Sequence, residues 1–159
     1  MKQHFLQIFC LLFIAACGNQ SQQTQNNQSL PAEKATVVQP TVTSLSEQQY
    51  KDLVFDFVES PTTWVYKGKR PCVVDFYADW CRPCKAIAPY FDSLAKVYAG
   101  KVDFYKVNVD NARNLSDFFN IQSIPFVMFC SDDIPQYVNG AYPIEFYTKM
   151  IDSLLLHKF

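Results

Sequence analysis

Residues 75–85, DFYADWCRPCK, set two cysteines two residues apart behind a tryptophan. Thiols at this spacing can share a zinc ion, close a small structural disulfide, or cycle between dithiol and disulfide. Zinc needs about four ligands, usually from two such pairs or from cysteines joined by histidines. No second pair exists, and His4 lies in the leader described below, which leaves only His157. A structural bridge closing so short a loop restrains the unfolded chain little. Redox cycling accounts best for the pair, and it requires neither a metal nor a cofactor.

Reactive sulfurs need an element that tunes them. Residues 72–77, CVVDFY, form an apolar run of strand length, suited to a sheet covered on both faces. Residues 82–98 carry Ile87, Phe91, Leu94 and Tyr98 at helical spacing, with Pro89 expected to kink the helix. Cys81 therefore falls at a helix N-terminus, where unpaired N–H groups and the macrodipole stabilise a thiolate. Arg82 adds positive charge that lowers the thiol pKa further. Pro83 suits the first turn, having no N–H to leave unsatisfied. Cys84, three residues on, can reach Cys81 and is the more sheltered. The expectation is an exposed nucleophile at Cys81 and a resolving thiol at Cys84. Asp75, in so apolar a run, is expected to be buried with a raised pKa. Trp80, beside the thiol, offers an apolar docking surface. Cys72 and Cys130 fall in buried strand runs and read as core thiols without a role.

The remaining chain alternates in type. A short edge strand is expected within 41–45. Ser46 then caps a helix over 46–57 with Tyr50, Leu53, Val54 and Phe57 on one face, and Pro61 ends that segment. Residues 102–109 read as a strand, and Asp110 as the cap of a short helix ending near Asn120. Pro125 precedes a strand FVMFC, and 137–142 reads as the last strand. Pro143 opens a closing helix with Tyr147, Met150, Ile151 and Leu154 turned to the core. The order β-α-β-α-β-α-β-β-α describes an α/β sandwich.

With these elements in place, Asp75 to Lys85 followed by Ile87-Ala88-Pro89 resembles the active-site segment of the thioredoxin family. The similarity extends over about residues 41–159. It implies a three-layer sandwich with a central mixed sheet, helices on both faces, and a redox-active disulfide between Cys81 and Cys84. Asp75 matches the family's buried acid, which assists proton transfer at the second cysteine, and Lys106 matches the lysine beside that acid. Ile124-Pro125 matches the cis-proline loop facing the disulfide, and Gly140 the glycine loop beside the substrate groove. No insertion precedes the central helix, which argues against the cytochrome-maturation branch. Arg82 stands where the family has glycine, and Phe126 where threonine is usual, which is expected to narrow or grease the groove.

The first sixteen residues carry Lys2 and His4 ahead of an apolar run too short to span a bilayer, the pattern of a secretory leader. Ile14-Ala15-Ala16-Cys17 resembles a bacterial lipobox, which implies cleavage before Cys17 and lipid on its thiol. The plainer alternative is an ordinary signal peptide cut nearby. Either places the mature chain outside the cytoplasm, where disulfide chemistry is available. Residues 1–16 thus read as leader, 17–40 as a lipidated tether rich in Asn, Gln and Ser, and 41–159 as the domain. Gly18 and Asn19 lack the aspartate of an inner-membrane retention signal, which leans towards the outer membrane. The expected protein is periplasmic and lipid-anchored to a bacterial membrane, and a monomer. Its net charge of -1 recruits no nucleic acid. Its expected substrates are disulfide-containing exported proteins, and a transmembrane thiol carrier supplies electrons. Two alternatives stand beside this reductase: an oxidase or isomerase using the same site, and a non-catalytic binding or chaperone module of the same fold.

Overall fold

The computed structural model describes residues 41–156. The leader, the tether and Cys17 lie outside the described residues, as does His157. The elements in chain order are β1 (Thr43–Ser44), α1 (Glu47–Leu53), β2 (Cys72–Tyr77), α2 (Arg82–Val97), β3 (Asp103–Asn108), α3 (Arg113–Phe118), β4 (Phe126–Cys130), β5 (Gln136–Asn139) and α4 (Ile144–Ile151). They form one mixed sheet in the order β1-β3-β2-β4-β5. β1 and β2 run parallel to β3, while β4 is antiparallel to both β2 and β5.

The two-residue period of a strand divides the core in two. Cys72, Val74 and Phe76 of β2 join Phe126, Met128 and Cys130 of β4 on one face, beneath Tyr50 and Leu115. Val73 joins Val127 and Phe129 on the other, beneath Ile87, Phe91 and Leu94 of α2 and Tyr147 and Ile151 of α4. Phe126 is therefore a core residue. Its ring packs edge-on against Phe76 and stacks on Tyr137, so it does not form the groove wall expected from the sequence. Asp75 shares the parity of Val73, which turns it towards α2. That single register decides where the acid lies.

α1 begins as expected. Gln49 N–H donates to Ser46 Oγ at 3.2 Å and Ser46 N–H to Gln49 Oε1 at 2.9 Å, a reciprocal capping box. Ser46→Ala is expected to cost about 1 kcal/mol, read as a lower urea midpoint at an unchanged slope. The helix stops at Leu53, well short of Pro61, and Leu53 itself is exposed. Asp56 supplies the reason: its carboxylate accepts from Val58 and Glu59 N–H, building a side-chain turn that competes with further helix. Phe55 and Phe57 reach the core from this irregular segment instead.

Three other boundaries shift. Asp110 is not a cap. Asn108 caps the 3-10 turn Val109–Asn111 by accepting from Asp110 N–H, and α3 follows separately. Among the described residues the start of α3 has no side-chain cap of its own; Glu47 of α1 accepts from Leu115 N–H at 3.3 Å. β5 ends at Asn139, before Gly140, whose φ of 99° suits glycine. After α4 the chain widens into a π-turn, Asp152–Leu156, which brings Leu155 into the core; Met150 and Leu154 pack at its margin.

Candidate active site

The site is assembled where β2 ends and α2 begins. Cys81 and Cys84 are joined as a disulfide, their Cα atoms 5.4 Å apart. Cys81 is the N-cap of α2, and its Sγ accepts from Cys84 N–H at 3.2 Å. This is the contact through which a helix start stabilises sulfur carrying negative charge. Pro83 lies in the first turn, where its missing N–H costs nothing, and Arg82 is exposed next to it. α2 then continues through Pro89 to Val97.

Exposure does not distinguish the two sulfurs as expected. Cys81 is 3 % exposed and Cys84 2 %, because both pack with Ala78 against Val109, Tyr77 and Ile124. Their surroundings do distinguish them. Cys81 takes the helix N–H. Cys84 lines a cavity of about 120 Å³ together with Asp75, Lys106, Tyr77, Asp79 and Lys85. Asp75 is 5 % exposed, and among the described residues its Oδ1 has no hydrogen-bond partner. Burial pushes its carboxyl up to about 7, against the opposing pull of the Lys106 ammonium. Lys106 is Asp75's register partner on β3, half-buried, with Nζ 5.5 Å from the centre of the Tyr77 ring.

Two loops complete the surroundings. The Ile124-Pro125 peptide is cis, and Ile124 packs on the disulfide cluster. Gly140 N–H donates to Pro125 O at 2.8 Å, tying the glycine loop to the proline loop. Trp80 is 69 % exposed, yet its indole N–H donates to Asp110 at 3.0 Å. Asp110 and its Asn108 support were not legible as site residues. They lie about thirty positions away in sequence, and only the parallel pairing of β2 with β3 brings them alongside. Every sequence-predicted site residue from Asp75 to Gly140 lies in or next to this region; Cys17 lies outside the described residues.

A disulfide at a helix start, backed by a buried acid on an α/β sandwich, defines a thiol–disulfide oxidoreductase. The thioredoxin profile matches residues 41–153. A thioredoxin of Borreliella burgdorferi is 40% identical over 90 residues, covering 57% of this chain and 76% of that protein. The chloroplastic M-type thioredoxin of Spinacia oleracea is 42% identical over 93 residues, covering 58% of this chain but only 51% of that longer protein. The crystal structure of chloroplastic thioredoxin z shares the fold with a TM-score of 0.58 at 23% identity, over 71% of this chain and 93% of that one. The chain belongs to the thioredoxin family. Its enzyme class is thioredoxin-type dithiol–disulfide exchange, the reduction of disulfides in protein substrates.

Proposed function

We propose that this protein is a membrane-tethered, extracytoplasmic thioredoxin that reduces disulfides of exported proteins through Cys81 and Cys84. The observation that carries the mechanism is the asymmetry of the two sulfurs, one on the helix N–H and the other on the cavity of Asp75. Cys81 thiolate attacks a substrate disulfide, forming a mixed disulfide and releasing one substrate thiolate. Asp75 takes the proton of Cys84 across the cavity. Cys84 then attacks Cys81 Sγ, the second substrate thiol leaves, and the Cys81–Cys84 bond forms. The substrate gains two electrons and the protein loses two. Trp80, Ile124, Pro125 and Gly140 supply the surface on which the substrate segment rests.

The address rests on residues 14–17, with Cys17 as lipid attachment site and residues 17–40 as tether. Several acyl chains give stable membrane attachment, and a coil of that length reaches roughly 25–30 Å. No helix among the described residues is long and apolar enough to cross a membrane. Electrons must then arrive from a transmembrane thiol carrier. Arg82 favours a second reading. A cation stabilising the reduced thiolate makes the couple more oxidising, as an oxidase or isomerase requires.

Acid-quenched cells tagged with a thiol-specific mass label decide between them. Reduced Cys81 and Cys84 are expected, and a predominantly oxidised pair would reverse the direction. In the same cells, labelled palmitate is expected to enter the wild-type chain but not Cys17→Ala. Equal labelling of both would remove the anchor.

A further inference from the structure

We propose that Cys72 and Cys130 form a second redox couple, a buried cross-strand dithiol that a small-molecule disulfide converts into an intrachain disulfide. Cys72 is the first residue of β2 and Cys130 the last of β4, and they face each other directly in the antiparallel register. Opposed residues of such a pair have Cα atoms about 4.5–5.5 Å apart, within the roughly 4.4–6.8 Å that a disulfide spans. Both side chains lie on the same sheet face, and both are free thiols. Two cysteines placed only for their volume have no need to meet.

Their position separates them from the substrate reaction. The catalytic disulfide follows the C-terminal end of β2, whereas this pair lies at its start. Both thiols are fully buried. Tyr66, in the segment between α1 and β2, packs against the core cluster that holds them. That segment is latched at several points. Tyr66 donates to Arg70 O and stacks on Trp64, and Trp64 donates to Ser131 O at 2.8 Å, one residue beyond Cys130. A Cβ at Gly68 would collide with the Tyr66 hydroxyl, so the glycine permits this cover. Burial also pushes the Cys130 thiol up, which keeps the attacking thiolate scarce. Oxidation therefore waits on local opening of the Tyr66 segment.

One thiolate attacks glutathione disulfide, gives a mixed disulfide and expels one glutathione thiolate. The partner thiol, losing its proton, attacks the protein sulfur and expels the second. The protein gains one S–S bond, loses two electrons and two protons, and two glutathiones leave reduced. The new bond staples the start of β2 to the end of β4.

The test uses the full chain, reduced and then held with glutathione disulfide in buffer and in sub-denaturing urea, followed by peptide mapping. The Cys81–Cys84 bond should return first, and a linked Cys72–Cys130 peptide should follow at a rate that rises with urea. The doubly oxidised form should melt roughly 10 °C above the singly oxidised one, since the bond closes a loop of about 60 residues. Tyr66→Ala should speed the second oxidation by roughly tenfold or more in buffer alone. Separate glutathione adducts on Cys72 and Cys130, or two reduced thiols that have nonetheless become alkylatable, would overturn the couple. An unchanged rate in Tyr66→Ala would overturn the cover.

Discussion

Replacing Cys81 with serine is expected to bring insulin-disulfide reduction down to the uncatalysed background, a loss on the order of 10³-fold or more. Serine fits the space and still accepts the Cys84 N–H, so the fold survives while the nucleophile is lost. Cys84→Ser leaves Cys81 able to attack but removes the group that releases the captured partner. The expected product is a mixed disulfide, seen as a slower band on a non-reducing gel that collapses with dithiothreitol. The pair of variants distinguishes attack from resolution. If Cys84→Ser accumulated no adduct while Cys81→Ser did, the two sulfurs would exchange roles. The geometry opposes that exchange, because Cys84 is the sulfur that shares the cavity with Asp75.

Local chemistry was legible in the sequence wherever a residue acts on its near neighbours. Ser46 at the start of α1, Pro83 at the start of α2, and the apolar run of β2 each specify their own surroundings, and the structure keeps all three. The structure departs from the sequence pattern where two local signals compete or where the partner is distant. Leu53 to Phe57 carry a helical spacing, but the Asp56 carboxylate captures two backbone N–H groups and wins. Asp110 looks like a cap because it opens a polar stretch, yet Asn108 takes that role and Asp110 holds Trp80. Cys81 is buried for a different reason. A helix start is solvated in isolation, but here Val109 and Ile124 from two other elements close over it. Phe126 shows the same limit, since only its register on β4 tells whether it faces a groove or a core.

Asp75→Asn is expected to stabilise the protein in alkali while slowing its chemistry. The folded carboxyl holds its proton up to about pH 7, against an ordinary value of 3.8 that applies to the unfolded chain. Between those values the unfolded state binds fewer protons than the folded one, so stability falls as pH rises through this window and is lowest above pH 7. The displacement corresponds to about 4 kcal/mol for so buried a group. Asparagine has the same shape and no charge to desolvate, so urea midpoints of variant and wild type should coincide near pH 4 and diverge towards pH 8, the variant being higher. Equal stability at pH 8 would mean that Asp75 never ionises at a cost. The amide cannot accept the Cys84 proton, so the single-turnover rate of resolution at pH 7 should fall by roughly 10²-fold, with the inflection near pH 7 lost. Lys106→Met tests the opposing pull: without the ammonium that lowers it, the Asp75 titration should move upward, carrying the inflection of the resolution rate with it. A conserved rate profile in both variants would leave the acid a burden on stability with no return in catalysis, an arrangement the shared cavity with Cys84 argues against.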